Sequence, residues 1–260
     1  MDPARIAELL QPFLSPASNP CHSEPANAGE EPAVLSPAQL HDISTYIDIL
    51  LRWNARINLT AIRDPEAIVT RHFGESLFAA RYLFPNAGRQ GKKEKNSSAS
   101  SVSSAVKDFD VADVGSGAGF PGLPIKLWAP DISLTLIESS HKKAAFLREV
   151  SRALTLTDVN IQTARAETLP AGGFQVVTLR AVDRFAAILP VAANLVAPAG
   201  RLALLIGSTQ FDQARSLLPE LSWSDPEPVP LSHTRILAVA HRPAQWATVP
   251  APQSVLSSLP

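Results

Sequence analysis

The chain has a single cysteine, Cys21. One thiol cannot build a disulfide framework, nor a cysteine-based zinc site. Charge is sparse as well: Asp, Glu, Lys and Arg make up 18 % of the residues, below the roughly 25 % usual in soluble domains. The 23 Lys and Arg face 24 Asp and Glu, a formal net charge of −1. That balance excludes a globally basic coat for nucleic acid, though not a local basic face. No run of about 18 apolar residues exists, which argues against a spanning helix. The most apolar tract, Phe185 to Val196, is interrupted by Pro190 and Asn194. The first residues include Asp2 and Pro3 where a secretion signal would be basic. The expectation is a soluble cytoplasmic protein.

The hydrophobic share of 45 % over 260 residues is enough for a sizeable core. At about 100–200 residues per domain, the length suggests one large domain or one domain with a cap. Residues 1–36 read as a loosely ordered segment, Pro/Ser/Asn/Ala-rich from Pro12 onward. Ile6, Leu9, Leu10 and Phe13 precede that stretch at helical spacing. Residues 37–85 read as a helical cap. Ser36-Pro37 suits a helix start, with Leu40, Ile43, Ile47, Leu50 and Leu51 on one face. Asp64-Pro65 starts a second helix by the same logic, running through Ile68, His72 and Leu77 to Leu83. The cap's five arginines are matched by five acids. Residues 86–107 are rich in Ser and Lys, cannot bury enough apolar surface to order themselves, and read as a disordered insertion.

From Phe109 onward, strand-like and helix-like segments alternate. Phe109–Val114, Ser133–Ile137, Val159–Gln162, Gln175–Leu179 and Arg201–Ile206 read as strands, with a later one at Arg235–Ala240. His141–Leu154 and Phe185–Leu195 read as helices. This alternation predicts, over 108–242, a doubly wound, mostly parallel, Rossmann-like α/β sheet covered on both faces. Residues 243–260 read as coil.

Ligands of such sheets bind outside the carboxyl ends of the strands, at the switch point of strand order. There the sequence reads Asp113-Val114-Gly115-Ser116-Gly117-Ala118-Gly119-Phe120-Pro121-Gly122. Glycines let the backbone turn sharply and approach a ligand with no Cβ in the way. Two registers compete. Gly117, Gly119 and Gly122 satisfy the dinucleotide spacing G-x-G-x-x-G, which would suit a nicotinamide-dependent dehydrogenase. Gly115, Gly117 and Gly119 instead begin where the strand stops, as in loops that wrap S-adenosylmethionine. That cofactor has no phosphate and does not need a clean helix start, so the second register is preferred.

Glu138 ends the next strand and can accept the ribose hydroxyls of an adenosine cofactor. After the third strand, Glu167 can meet an adenine edge and the small Ala166 leaves its backbone open to the ring. Arg180 ends the fourth strand, beside the expected transfer point. Its planar fork suits phosphate or guanine O6 and N7, although a structural salt bridge is the plainer reading. No metal cluster is expected.

Together these residues resemble the bacterial ribosomal RNA small-subunit methyltransferase G family, the glucose-inhibited division protein B group. Trp53-Asn54 with Asn58-Leu59-Thr60 is similar to its W-N…N-L-T signature. Arg71-His72 with Glu75-Ser76 is similar to R-H-x-x-D-S, with Glu in place of Asp. Asp113 to Pro124 is close to its cofactor loop. The resemblance implies a class I methyltransferase fold, S-adenosylmethionine as cofactor, and methylation of a guanine N7 in 16S ribosomal RNA, presented alone or in a small-subunit particle. It also implies cofactor contacts at Gly115, Phe120, Ala166, Glu167 and Arg180. Two further positions depart from the family: Ile206 stands where a lysine is usual before Gly207, and Leu179 replaces a serine before Arg180; the Pro-rich N-terminal stretch and the Ser/Lys segment are also foreign to its usual compact form.

Guanine N7 carries no hydrogen, so its methylation needs no general base. Arg180 is accordingly expected to act as the catalytic residue by orienting cofactor or base, and its replacement by Ala to spare folding. Asn58, Arg71, His72 and Arg235 are the expected RNA contacts. A cofactor-binding module without catalysis is the remaining alternative.

Overall fold

The computed structural model describes residues 1–15, 33–87, 109–181 and 184–245. Cys21, nearly all of the Ser/Lys insertion and most of the C-terminal coil lie outside those residues.

Four helices and one π turn build the cap. α1 (Pro3–Leu14) buries Ile6, Leu10, Phe13 and Leu14. The segment 1–36 is therefore not uniformly loose: its first part is a packed helix, because four apolar side chains at helical spacing have a core to enter. α2 (Pro37–Asn54) opens on a capping box. The Ser36 side chain accepts from Gln39 N–H, and the Gln39 side chain accepts from Ser36 N–H. α3 (Pro65–Ile68) is capped by Asp64. The single helix expected onward to Leu83 is broken: Val69–Gly74 form a π turn, and α4 (Glu75–Leu83) follows. At Gly74 an added Cβ would lie 2.5 Å from the Phe13 ring, so α1 packs directly against the π turn.

The second part is one sheet. Five strands run parallel: β1 (Asp110–Val114), β2 (Ser133–Ile137), β3 (Val159–Gln162), β4 (Phe174–Arg180) and β5 (Val196–Gly207). β6 (Ser222–Trp223), β7 (Glu227–Pro228) and β8 (Arg235–His241) close one edge, β8 antiparallel to β5. The order is β3-β2-β1-β4-β5-β8-β6, with β7 also on β8. The two shortest strands, β6 and β7, carry too few residues for a period-2 pattern and were not expected.

Alternate residues of each strand point to opposite faces. Val111, Leu134, Leu136, Val176 and Leu205 join the core beneath the cap, α5 (Gly122–Trp128) and α6 (His141–Ala153). Ala112, Val114, Val177, Leu179 and Leu204 join the core beneath α7 (Phe185–Leu195) and α8 (Phe211–Leu217). The sheet is doubly wound, as its sequence alternation predicts. From β1 the chain moves outward to β2 and β3, then returns to the other side for β4. Strand order thus reverses between β1 and β4, and Val114 pairs with Leu179 there. Gly115 and Arg180 follow those two residues and meet at the switch point. No described helix is long and apolar enough to cross a membrane.

Candidate active site

The glycine loop is held by its own strands. The N–H groups of Gly115 and Ser116 both donate to Ile137 O, and Gly119 N–H donates to Ser116 O at 2.6 Å. Gly117 N–H donates to Glu138 Oε2 at 3.0 Å, while Ser140 N–H donates to Glu138 Oε1 at 2.7 Å. Gly122 N–H donates to Asp113 Oδ2. A pyrophosphate needs such N–H groups pointed outward at a helix start. These are committed internally, which disfavours the dinucleotide register. At Gly117 (φ +55°) an added Cβ would meet only Gly115 O, at an ordinary contact distance of 3.7 Å, and the residue lines the cleft. At Gly119 (φ +86°) an added Cβ would collide with the Tyr46 hydroxyl. The first is open to a ligand and the second to the cap.

Asp113 lies behind the loop, fully buried, and accepts from Thr178 Oγ1 at 2.8 Å. Burial pushes its carboxyl up to about 6, against the hydrogen bonds from Thr178, Gly122 and Ser116 that favour the charged form.

The cap supplies the facing wall. Asn54 is the residue that shapes the N-L-T turn: its Oδ1 accepts from the N–H groups of Leu59 and Thr60, and its Nδ2 donates to Thr60 O. Trp53 is half-buried against Phe146 and donates to Glu149 Oε2. Tyr46, from α2, is wholly buried. Its ring stacks on Phe120 at 5.4 Å and its hydroxyl donates to Ala118 O. His72, from the π turn, stacks on the same Phe120 at 4.7 Å.

The Arg180 side chain is only 8 % exposed, and a single nitrogen of its fork serves three acceptors. Nη2 lies 2.6 Å from Arg71 O, 3.0 Å from His72 Nδ1 and 3.1 Å from Glu75 Oε2. Arg235, which enters from β8 opposite Gly207, reaches the same Glu75 oxygen at 3.1 Å. The salt-bridge reading of Arg180 is therefore realised, with Glu75 as its partner. Because a guanidinium only donates, His72 Nδ1 must accept, so the ring proton sits on Nε2 and faces Thr60 Oγ1 at 2.7 Å. Burial, then the charges of Arg180, Arg71 and Arg235, push the His72 pKa down to about 3. His72 is neutral.

A cleft of about 810 Å³ lies between the two walls. Gly115, Gly117, Phe120 and Arg180 line it from the sheet side, and Asn58 and His72 from the cap. Gly119 and Glu138 lie just behind the lining. Ala166 is buried and Glu167 exposed at the 3-10 turn after β3, outside the cleft's lining. Arg71 is exposed, and only its carbonyl enters the Arg180 network. A phosphate grip by His72 is not what its surroundings favour, since it is neutral, while Arg235 shares its carboxylate, Glu75, with Arg180. Ile206 is buried beneath α7 and α8, so no cation arises at that position.

Two lining residues, Arg63 and Lys143, carried no sequence signal that singled them out, and Thr60 was marked only as part of the N-L-T signature. Behind the lining, Tyr46 carried no signal and Glu75 only that of a motif variant. Only the positive φ of Ala181 (+46°), a strained conformation for an L-residue, marks the end of β4 as unusual. Among the described residues, no group of three His, Cys, Asp or Glu is placed to hold a metal ion.

The family model for rRNA small subunit methyltransferase G matches residues 39–89 and 96–234. The chain belongs to that family. The chain is 39 % identical over 186 residues to the ribosomal RNA small subunit methyltransferase G of Halorhodospira halophila, covering 72 % of this chain and 78 % of the relative. It is 35 % identical over 201 residues to the protein of the same name from Stenotrophomonas maltophilia, covering 77 % and 81 %. For Xylella fastidiosa the values are 36 % over 186 residues, 71 % and 77 %. Within the family-matched span, the Gly115–Phe120 loop and the His72 turn face one another across the cleft. α1 lies outside that span, although it packs on the turn carrying His72.

Proposed function

We propose that this chain transfers a methyl group from S-adenosylmethionine to N7 of a guanine in 16S ribosomal RNA. The observation that carries this reading is a cleft without a general base. No carboxylate is among its lining residues. Both nitrogens of its histidine are occupied, Nδ1 by Arg180 and Nε2 by Thr60. A substrate amine or hydroxyl would have to lose a proton there, whereas guanine N7 offers a lone pair and has none to lose.

The glycine loop fits the cofactor, since Gly117 lines the cleft and the N–H groups of Gly115, Ser116, Gly117 and Gly119 are already paired. Gly115, Gly117 and Gly119 would hold the methionyl part, Glu138 the ribose, and Ala166 with Glu167 the adenine. Each oxygen of Glu138 keeps a second lone pair, so its two backbone bonds do not prevent it from accepting ribose hydroxyls. Bound S-adenosylmethionine supplies an electrophilic methyl on a sulfonium sulfur. The contribution of the chain is alignment, which is worth several kcal/mol of barrier when reacting atoms are held in line. Arg180, fixed by Glu75 and His72, orients the guanine or the cofactor. Asn58 and Arg71 stand at the exposed cap side, where RNA arrives.

The test is to map N7-methylated guanines in 16S ribosomal RNA from cells lacking the gene and from the same cells complemented with it. One modification should vanish and return. An unchanged map overturns the reading.

A further inference from the structure

We propose that Arg63 and Lys143 form a clamp for the RNA phosphates that flank the target guanine. This rests on the reading that the substrate is RNA and adds where its backbone is gripped.

Three charged side chains line the cleft: Arg63, Lys143 and Arg180, with no acid among the lining residues. Arg180 is held by Glu75 at 3.1 Å, a carboxylate that it shares with Arg235. Among the described residues, Arg63 and Lys143 make no ion pair and no side-chain hydrogen bond to an acid. Arg63 comes from the cap, on the loop between α2 and α3. Lys143 comes from α6 of the sheet domain. A ligand filling the cleft therefore meets one cation from each wall.

The charge of the cofactor decides which ligand these cations serve. S-adenosylmethionine carries a sulfonium and an ammonium against one carboxylate, so it is itself a net cation. Two further uncompensated cations would repel it, whereas a polyanion gains from both. The cap as a whole is charge-balanced and the chain carries a net charge of −1, so phosphate affinity cannot come from a general basic surface. It must come from placed cations, and these two are placed at the cleft.

The experiment uses the full chain and small ribosomal subunits from cells lacking the gene. Binding is measured across a salt series for the wild type, Arg63→Gln, Lys143→Gln and the double variant, with S-adenosylmethionine affinity followed by calorimetry. Each substitution should flatten the slope of log K against log salt by about 0.7–0.9, the value of one lost phosphate contact. Cofactor affinity should stay within about twofold, a difference of roughly 0.4 kcal/mol. Arg63→Lys and Lys143→Arg should restore the slope, which a structural role would not produce. Unchanged slopes in a wild type that methylates the subunits overturn the clamp alone. A tenfold loss of cofactor affinity also overturns it, reassigning the cations to the cofactor. A wild type that methylates no subunit overturns the function on which the clamp rests.

Discussion

The hydroxyl of Tyr46 donates a 2.5 Å hydrogen bond to the carbonyl of Ala118, tying the cap's longest helix to the middle of the glycine loop. Both groups are buried, and the ring beneath that hydroxyl stacks on Phe120. The loop's shape is thus set from two sides, by Ile137 and Glu138 of the sheet domain and by Tyr46 of the cap.

Tyr46→Phe keeps the ring stack and removes only the donor. The stranded carbonyl should cost about 1–3 kcal/mol of stability, read from denaturant unfolding. S-adenosylmethionine affinity should fall several-fold by calorimetry. Unchanged affinity would mean that the hydroxyl does not shape the loop for its ligand.

Arg180→Lys keeps a positive charge beside Glu75 but loses the planar guanidinium whose Nη2 meets Arg71 O, His72 Nδ1 and Glu75, and puts a compact, strongly hydrated ammonium on a flexible stem in its place. Methyl transfer to small subunits should drop by about tenfold or more, a barrier increase of roughly 1.4 kcal/mol, while the protein remains folded. Arg180→Ala is the poorer probe. It leaves buried Glu75 with one partner and so carries a stability loss, contrary to the expectation from sequence that it would spare folding.

Glu75→Gln leaves Arg180 and Arg235 without their shared carboxylate. Removing one member of a buried ion pair costs about 3–5 kcal/mol. Thermal melting should therefore show a loss far larger than for Glu66→Gln, whose partner Arg5 is an exposed surface pair. Equal losses would show that the hub contributes no more than a surface contact.

His72 predicts a pH dependence of stability. Its folded pKa, about 3, lies below the ordinary value of 6.5, so the unfolded chain binds the proton more readily. Its contribution is fully present above pH 6.5 and is lost progressively as pH falls toward 3. His72→Gln should flatten this part of the melting profile relative to wild type. A difference between the two proteins that does not change with pH would refute the neutral, proton-resisting histidine.

Much of the architecture was legible because it rests on local patterns. Ser133–Ile137, Val159–Gln162 and Phe185–Leu195 form as their periodicity predicts, and Ser36-Pro37 opens α2 with the expected cap. The glycine loop was legible because its spacing follows directly from the end of a strand. The π turn was not, since Val69–Gly74 reads as ordinary helix until Phe13, some sixty residues earlier, is known to press on Gly74. Glu75 could be noticed only as a motif variant, because its two arginines arrive from distant strands. Tyr46 looked like any core aromatic of an amphipathic helix, and its hydroxyl acquires a role only when Ala118 is brought beneath it. His72 was marked by its motif and expected to contact RNA, whereas its chain of bonds to Thr60 and Arg180 was not legible.

The notch at Gly74 bears on how a minimal fragment should be cut. A chain trimmed to begin near residue 39, where the family match starts, would keep every proposed ligand contact and lose α1. It would also expose a hole the size of a benzene ring beside the turn that carries His72. Such a truncated enzyme should become sticky, hydrate that hole, or soak up small aromatic solutes, so the opening helix belongs in any working version.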